Sequence, residues 1–422
     1  MGKWGIEVVE CQYDGCNENV FENNDECILH LEFPDENDAD FERIKSEKDK
    51  KVQEKIKNRN FNFEGSILYR IKLEGLKTHE INFCKAKIIN NIYLEKIDVS
   101  DVLFDNATLK RFTFLKEVNI WRNLSFKDTK AYTIILKNVT INEDWECENI
   151  ELEFLRFEEG GYVGGFIFFG GMKNVRSIRF KGNEDLDKKI EIVGDVFLGN
   201  ELMGNLDLNF VKIDGTLHLD GLKANNVLLN KTEIKGNIWF SRSELVDINF
   251  NEVEIKGETN FHTAKIAGKL DCKKVKFENL SAAEETNRVA KNRWNVLGDR
   301  EEADYYFYRE MEAKRVQKKW YFRYPEVIIQ YCFGYGVYPE RFIITWFSII
   351  LVFTAIYSTQ SGINADLGFF SYFYSSVVTA ITPGFGTYRP EGIYQLFASI
   401  EAIVGTFMWA AFIATFTRKY MR

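Results

Sequence analysis

Two long apolar runs near the C-terminal end restrict what this 422-residue chain can fold into more than any other feature. Residues 342–365 contain no charged side chain, and residues 392–417 contain only one, Glu401. A helix that crosses a lipid bilayer needs about 20 predominantly apolar residues. Both runs are therefore predicted to be membrane spans. Between them, the apolar residues 367–381 are too short to cross a core of ~30 Å at about 1.5 Å per residue, so we predict a re-entrant half-helix there.

The loop after the half-helix reads Thr-Pro-Gly-Phe-Gly-Thr, at residues 382–387. Irregular backbone is tolerated at membrane depth only where protein buries it or where it lines a water-filled path. The two glycines permit positive backbone angles, so that successive carbonyl groups can face one axis and replace the hydration shell of a cation. The order of span, half-helix, Thr-x-Gly-[Tyr/Phe]-Gly and span resembles the pore module of two-transmembrane potassium channels. This resemblance implies a homotetramer whose selectivity filter is formed by Thr382, Pro383, Gly384, Phe385 and Gly386.

The loop departs from that family at two positions. Pro383 stands where the family usually has Val, Ile or Leu, and Thr387 stands where it often has Asp. Proline lacks an amide donor and has a fixed φ, yet it keeps the carbonyl oxygen that an ion would contact. We expect a cation channel that conducts potassium. Two alternatives stay open: a non-selective cation channel, and a non-conducting scaffold whose spans only anchor it and whose Pro-Gly-Phe-Gly string is a turn.

Two residues in the second apolar run are candidates for a role in the pore. Gly405 lies where related channels often carry a flexible glycine, and it is either a gating hinge or a small residue for close helix packing. The carboxyl of Glu401 is costly at membrane depth and should face protein or water. It either lines the cavity, where it would favour cations, or forms hydrogen bonds behind the pore helix.

The basic residues near the two runs predict the orientation in the membrane. They are Lys314, Arg315, Lys318, Lys319, Arg323 and Arg341 before the first run and Arg418, Lys419 and Arg422 after the second. Residues 360–381 contain no Lys or Arg, and loops rich in basic residues stay in the cytoplasm. We therefore expect a multi-pass protein of the cell membrane, embedded in the lipid bilayer with both termini in the cytoplasm.

Three cysteines and a histidine near the N-terminus have the residue types of a closed zinc site. Cys11, Cys16, Cys27 and His30 are separated by four, ten and two residues. Zinc prefers thiolate and imidazole ligands in a tetrahedron, and the arrangement resembles small Cys3His zinc knuckles. Four protein ligands leave no open position, so we predict a structural Zn²⁺. The alternative is three unrelated reduced cysteines and a surface histidine. A recognition knuckle for nucleic acid is disfavoured by the net charge of −8.

A five-residue pattern dominates the middle of the chain. Apolar residues recur in pairs such as Ile81/Phe83, Ala86/Ile88, Ile92/Leu94, Ile97/Val99 and Val102/Phe104, and Gly215, Gly236 and Gly257 are 21 residues apart. A step of five fits neither a helix nor a long flat strand, but it fits short strands wound as a solenoid. The pattern resembles pentapeptide-repeat proteins, which implies a right-handed β-helix. Residues 158–195 interrupt the pattern, and we expect a distorted coil or surface loop there, with a ligand-binding insertion as the alternative.

Helical patterns connect the solenoid to the membrane region. Residues 282–297 and 300–319 predict two helices hinged at Gly298 and Asp299, and residues 325–333 combine aromatic and aliphatic side chains beside basic ones, as in membrane-interface segments. The predicted domains are a zinc knuckle at 1–34, a charged helix or linker at 35–60, a β-helix at 61–280, a helical linker pair at 281–324, an interfacial segment at 325–341 and the pore domain at 342–422. We expect an unknown cytoplasmic ligand or protein to act on the solenoid and gate the pore. No catalytic triad or cofactor fingerprint stands out, so no enzyme is expected.

Overall fold

The computed structural model describes residues 10–22, 24–199, 204–359, 368–381 and 391–420. The chain divides into two compact units, one ending at Gly298 and the other beginning at Asp299. The first unit holds α1 (Asp40–Lys57), a stack of parallel strands and α2 (Leu280–Leu297). The second unit holds α3 (Arg300–Gln317), α4 (Trp320–Phe333), a 3-10 turn (Gly334–Gly336), α5 (Pro339–Ser358), α6 (Phe369–Ile381) and α7 (Ile393–Tyr420).

The strands of the first unit are short at the start of the stack and longest near its middle. In chain order they are β1 Ile67–Leu68, β2 Ile71–Glu74, β3 Lys77–Asn82, β4 Lys87–Ile88, β5 Ile92–Glu95, β6 Asp98–Leu103, β7 Thr108–Lys116, β8 Asn119–Ile120, β9 Leu124–Ser125, β10 Lys130–Ile141, β11 Trp145–Glu148, β12 Glu151–Val163, β13 Ile167–Gly170 and β14 Ser177–Lys181. They continue as β15 Ile190–Ile192, β16 Val196–Leu198, β17 Asn205–Asn209, β18 Val211–Ile213, β19 Leu217–His218, β20 Lys223–Asn230, β21 Glu233–Ile234, β22 Ile238–Trp239, β23 Glu244–Asn251, β24 Val253–Ile255, β25 Thr259–Asn260, β26 Lys265–Ile266, β27 Leu270–Asp271 and β28 Val275–Phe277.

These strands form a β-solenoid of about ten coils. The pairings between the named strands are parallel, and each joins a residue to one about a coil later, such as Val227 to Ile248 and Leu217 to Ile238, both 21 residues on. Four rows of strands stack in this way, so each coil has four sides. The expectation of a solenoid followed by helices is confirmed, whereas membership of the pentapeptide-repeat family stays a prediction.

One inward column shows why the sequence alternates apolar residues. Its members occupy equivalent positions in successive coils and are at most 5% exposed: Phe63, Phe83, Phe104, Phe126, Cys147, Phe169, Leu198, Leu219, Phe240 and Phe261. Rings of the first four are stacked with centroid separations of 5.3, 5.1 and 4.7 Å. Offset stacking of this kind adds roughly 0.5–1.5 kcal/mol per pair to the free energy of burial. The column is therefore a continuous core that every coil extends.

Two corners of most coils use left-handed backbone at residues other than glycine. One corner has positive φ at Lys85, Asn106, Asp128 and Asn149, and the other has it at Lys96, Glu117, Asn138 and Glu159. Non-glycine residues rarely adopt this conformation, although Asn and Asp tolerate it better than most. The backbone ladders on both sides of each corner hold these residues in place. Sequence patterns did not reveal these corners because Lys and Glu are not typical turn signals.

The glycines that recur every 21 residues meet a different requirement. A Cβ added to Gly215, Gly236 or Gly257 would lie 2.3–2.4 Å from the carbonyl oxygen of the glycine in the preceding coil. The same is true of Gly194, whose Cβ would lie 2.3 Å from the oxygen of Gly165. Backbone approaches backbone along this column, which leaves no room for a side chain. The regular spacing is therefore a packing constraint.

The interruption in the sequence pattern corresponds to one excursion from an otherwise continuous stack. Val163 pairs with Ile192, 29 residues later, whereas Ile192 pairs with Ile213 after 21. The eight additional residues equal the loop between β14 and β15, where Asn183 and Lys188 exchange backbone hydrogen bonds of 2.7 and 2.9 Å. The solenoid thus continues past the loop with the same inward rows.

Replacing Gly236 with alanine should destabilise the solenoid. The new Cβ would overlap the carbonyl oxygen of Gly215, and overpacking of this kind costs about 1–3 kcal/mol. We expect a lower midpoint of thermal unfolding for the detergent-solubilised full chain. The control is Gly199→Ala, where the nearest atom to the new Cβ lies 3.9 Å away. Equal midpoints for the two variants would contradict the packing argument.

Candidate pore and metal centre

Two helices of the second unit are long and apolar enough to cross a membrane: α5, with 20 residues, and α7, with 28. Only 22% of the most apolar window of each is buried within the chain. A core helix of a soluble domain would be mostly buried. Their exposed faces carry large apolar side chains, including Ile344, Phe347, Val352, Ile403 and Phe407. The two helices have the surface that lipid or neighbouring subunits require.

The short helix α6 lies between the two apolar helices and contacts both. Its 13 residues span about 20 Å, less than the bilayer core. Ser376 of α6 is fully buried, and its hydroxyl lies 3.0 Å from the carbonyl oxygen of Ile350 in α5. The arrangement of span, half-helix and span that the sequence predicts is therefore present around α6.

Glu401 connects all three of these helices. Its side chain is 0% exposed, and one carboxylate oxygen accepts a hydrogen bond of 2.5 Å from the hydroxyl of Tyr357 in α5. The other oxygen contacts the hydroxyl of Ser376 in α6. A carboxyl at membrane depth persists only with such partners. Of the two roles expected for Glu401, this geometry favours support of the half-helix over lining a cavity.

Gly405 lies where α7 meets the C-terminal end of α6. A Cβ there would be 2.3 Å from the carbonyl oxygen of Ala380 and 2.7 Å from its Cα. Small residues permit this close approach of helix backbones in membranes. The contact favours the packing role of Gly405 over the role of a gating hinge. It also places α7 against the last turn of α6, directly before the predicted filter.

The predicted filter residues Thr382, Pro383, Gly384, Phe385 and Gly386 lie outside the described residues. What the structure describes is their support on either side. Helix α6 ends at Ile381, and α7 begins at Ile393. The filter assignment therefore stays a prediction.

Helix α3 contacts the N-terminal end of α5. The guanidinium of Arg341 lies 5.3 Å from the ring centroid of Tyr308 in α3 and 4.8 Å from that of Tyr338. Arg341 also donates a 2.9 Å hydrogen bond to the carbonyl of Gln330 in α4. Cation–π contacts are worth roughly 0.5–2 kcal/mol depending on desolvation. The start of the first span is thus held by two preceding helices.

Helix α3 also contacts the C-terminal end of α7. Arg418 donates a 3.1 Å hydrogen bond to the carboxylate of Asp304, and its guanidinium lies 5.8 Å from the ring of Phe307. These residues lie one turn before Tyr308 in α3. One helix therefore touches the ends of both apolar helices. The sequence showed the basic end of the second span but not its partner, because the two residues are 114 positions apart.

In the first unit, Cys11, Cys16, Cys27 and His30 come together as the sequence predicts. Their ligand atoms all lie within 4.8 Å of one another. The Sγ atoms of Cys16 and Cys27 are 3.8 Å apart, and Nδ1 of His30 is 3.4 Å from Cys11 Sγ and 3.3 Å from Cys27 Sγ. Zinc bonds of about 2.3 Å to sulfur and 2.0 Å to nitrogen give tetrahedral edges of about 3.8 and 3.5 Å. The four side chains fit a tetrahedral metal ion.

The histidine of this cluster is oriented by groups outside it. Nε2 of His30 lies 3.2 Å from the carbonyl oxygen of Glu64, and the ring stacks on Tyr13 with a centroid separation of 4.1 Å. With the proton on Nε2, Nδ1 faces the sulfur atoms as a free acceptor. Metal-bound histidines typically donate their second N–H in this way, which fixes the tautomer and the ring. The carbonyl of Glu64 could not have been identified from sequence.

The thiols of the cluster differ in their acidity. Burial raises the pKa of Cys16 to about 12, and the nearby Cys27 adds to the increase. Burial also acts to raise the pKa of Cys11, but hydrogen bonds from the backbone of Cys27 and Tyr13 outweigh it and lower the pKa to about 7. Three adjacent thiolates need a compensating positive charge, which a divalent metal ion supplies. The cluster could therefore hold a metal ion.

Residues 343–422 match the family model described as an ion channel. The match begins within α5 and includes α6 and α7. Searches of curated proteins and of solved structures gave no match. The matched region, together with the two apolar helices, supports a channel pore subunit in a lipid bilayer and indicates transport rather than catalysis.

Substituting Glu401 with glutamine should weaken the pore domain. An amide presents an N–H₂ group where one of the two hydroxyls now finds an acceptor, and an unsatisfied buried polar group costs about 1–3 kcal/mol. We expect a lower thermal midpoint and less flux per reconstituted chain. The matched control is Ser399→Ala, whose exposed hydroxyl donates only within α7, to the carbonyl of Gln395. If both variants behave alike, Glu401 does not support α6.

Proposed function

We propose that this protein is one subunit of a homotetrameric cation channel that conducts potassium. One chain supplies a single filter loop, so several chains must surround one pore. The observation that carries the proposal is the half-helix α6 held between two apolar helices by buried Glu401, in a region that matches an ion channel family. Conduction is passive, and the ion is the cargo of the protein.

The chemistry of residues 382–386 supports cation conduction. The backbone carbonyls of Thr382, Pro383 and Gly384 can serve as ligands for a dehydrated cation, whereas the loop contains no basic residue that would favour anions. A proline filter keeps these oxygens but lacks one amide. The non-selective channel and the non-conducting anchor are the alternatives that an experiment must separate.

Cation flux into liposomes reconstituted with the purified full chain tests the proposal. We expect potassium flux that Gly384→Ala abolishes, because the added Cβ opposes the positive backbone angles that align the carbonyls. The matched control is Gly368→Ala, because a Cβ there has no atom within 4 Å. Equal potassium and sodium flux would favour the non-selective channel. Flux that is insensitive to Gly384→Ala would exclude a filter at this loop, and the absence of flux under all conditions would favour the anchor.

We further propose that α3 couples the cytoplasmic part of the chain to the gate. The chain enters α3 directly from the solenoid unit, through Gly298 in left-handed conformation and the N-cap Asp299. Within the second unit, α3 touches α5 through Tyr308 and α7 through Asp304. A displacement of α3 would therefore change contacts at the ends of both spans. A ligand or partner of the solenoid would act on conduction by this route.

Breaking the contact between Asp304 and Arg418 should alter gating without altering selectivity. Both side chains are partly exposed, at 28% and 42%, and such pairs are worth up to about 1 kcal/mol, or about a fivefold change in an equilibrium constant per subunit. We expect Asp304→Asn to change the open probability in single-channel recordings. The charge-swapped pair Asp304→Arg with Arg418→Asp should restore it in part. Glu301→Gln, at an exposed position of the same helix, is the control. An unchanged open probability in Asp304→Asn would refute this role of α3.

We also propose that the metal ion of the Cys/His cluster is Zn²⁺. Three thiols and one imidazole form the ligand set that zinc prefers, and four protein ligands make the site structural. Elemental analysis of the purified full chain should give about one zinc per chain. Cys27→Ser should lose the zinc, whereas Cys84→Ser should retain it because Cys84 is half-buried in the next coil and lies outside the cluster.

A further inference from the structure

We propose that the metal centre fastens a cap that closes the N-terminal end of the solenoid. The cap consists of the described residues in 10–33, and it covers the first coil, residues 61–82. This inference rests on the proposed zinc site and adds what the metal controls. When the metal leaves, the cap should detach and expose the strand edge and the core of the first coil.

The cap is bonded to the first coil by its own backbone and by a metal ligand. The amide of Ile67 in β1 donates a 2.7 Å hydrogen bond to the carbonyl of Leu29. Three residues before Ile67, the carbonyl of Glu64 receives the hydrogen bond from Nε2 of His30. His30 thus contacts both the metal cluster and the solenoid. Release of the metal frees the ring that makes the second of these contacts.

Lys48 forms a second attachment between cap, helix and coil. This side chain of α1 is 1% exposed, and its ammonium lies 2.5 Å from the carbonyl of Leu31, 2.8 Å from that of Ile67 and 3.3 Å from that of Leu29. It also lies 4.8 Å from the ring centroid of Phe33. Three acceptors suit the three donors of an ammonium group. The carbonyls converge on Lys48 only while residues 29–31 keep their present path.

The cap also fits closely over the turn before β1. The ring of Tyr13 lies so near Gly65 that a Cβ on this glycine would be 2.0 Å from it. Tyr13 is the same residue that stacks on His30. The metal cluster, the aromatic ring and the turn therefore form one continuous contact.

The first coil needs this cover because it has a neighbour on one side only. In the named strands, β1 pairs with β4 and β2 pairs with β5, and no strand pairs with their other edges. Phe63 begins the inward column and is 0% exposed, and Leu68 is 1% exposed. Exposed strand edges and open core ends promote association with other chains, so solenoids require capping segments.

The cap cannot hold its shape through a hydrophobic core of its own. Among its described residues, the buried apolar side chains are Cys11, Cys27 and Leu29, and two of these are metal ligands. Its regular structure is limited to turns and one isolated bridge between Glu10 and Asn19. Segments this small fold when a metal ion crosslinks them. The metal is therefore the fastener, and Lys48 and Tyr13 are contacts that depend on it.

Hydrogen–deuterium exchange of the full chain in detergent tests this inference. We compare the protein as purified, after zinc removal with EDTA, and after readdition of Zn²⁺. We expect exchange in residues 61–74 to accelerate by about tenfold or more on zinc removal, because these amides would open with the cap. Exchange in residues 244–255, deep in the stack, should not change, and zinc readdition should restore the first coil.

The variants and the zinc content separate the two proposals. Cys27→Ser should reproduce the effect of EDTA, and Cys84→Ser should not. Zinc that is present but whose removal leaves the first coil protected would overturn the cap inference and leave the zinc site standing. Absence of zinc from the purified protein, together with a fully protected first coil, would overturn both. Accelerated exchange in all coils would indicate general unfolding and overturn the assignment of a local fastener.

Discussion

The first unit depends on backbone hydrogen bonds that pass from each coil to the next. Parallel strands satisfy their amides and carbonyls only through neighbours on both sides, so each coil is stable because others lie above and below it. The apolar columns follow from this stacking, since identical positions are brought together every coil. The same dependence makes the two ends vulnerable. At one end α2 covers the last coil, where Trp294 donates to the carbonyl of Leu270 at 2.9 Å, and at the other the Cys/His segment covers the first.

The second unit solves a related problem in an apolar environment. A half-helix leaves its terminal carbonyls without partners inside its own backbone, and a membrane offers no water to replace them. Buried Glu401 holds α6 through Ser376, and Gly405 allows α7 to approach the last turn of α6. These contacts set where the chain leaves α6 and enters the loop at 382. A polar residue and a missing side chain thus position the segment to which we assign ion selectivity.

Much of this architecture was predictable from periodicity. The five-residue step indicated a solenoid because inward positions recur at that interval, and the two apolar runs indicated α5 and α7. The side chain of Lys48 was not predictable, because a lysine in a charged helix is expected to face solvent, and only the three carbonyls of other segments explain its burial. The partners of Glu401 were equally hidden, since Tyr357 and Ser376 are separated from it by 44 and 25 positions. Local patterns report the backbone, whereas polar contacts between distant segments depend on the finished fold.

The constant register of the solenoid has a consequence for how such a chain can change its length. A coil of 21 residues adds one strand spacing, about 4.8 Å. Duplication or deletion of a whole coil would keep the glycine column and the aromatic column aligned, and would lengthen or shorten the domain by that fixed increment. Any other insertion must leave the stack as a loop, as the residues between β14 and β15 do. The domain therefore behaves as a ruler with uniform divisions, and its number of coils is a dimension that evolution can adjust without redesigning either end.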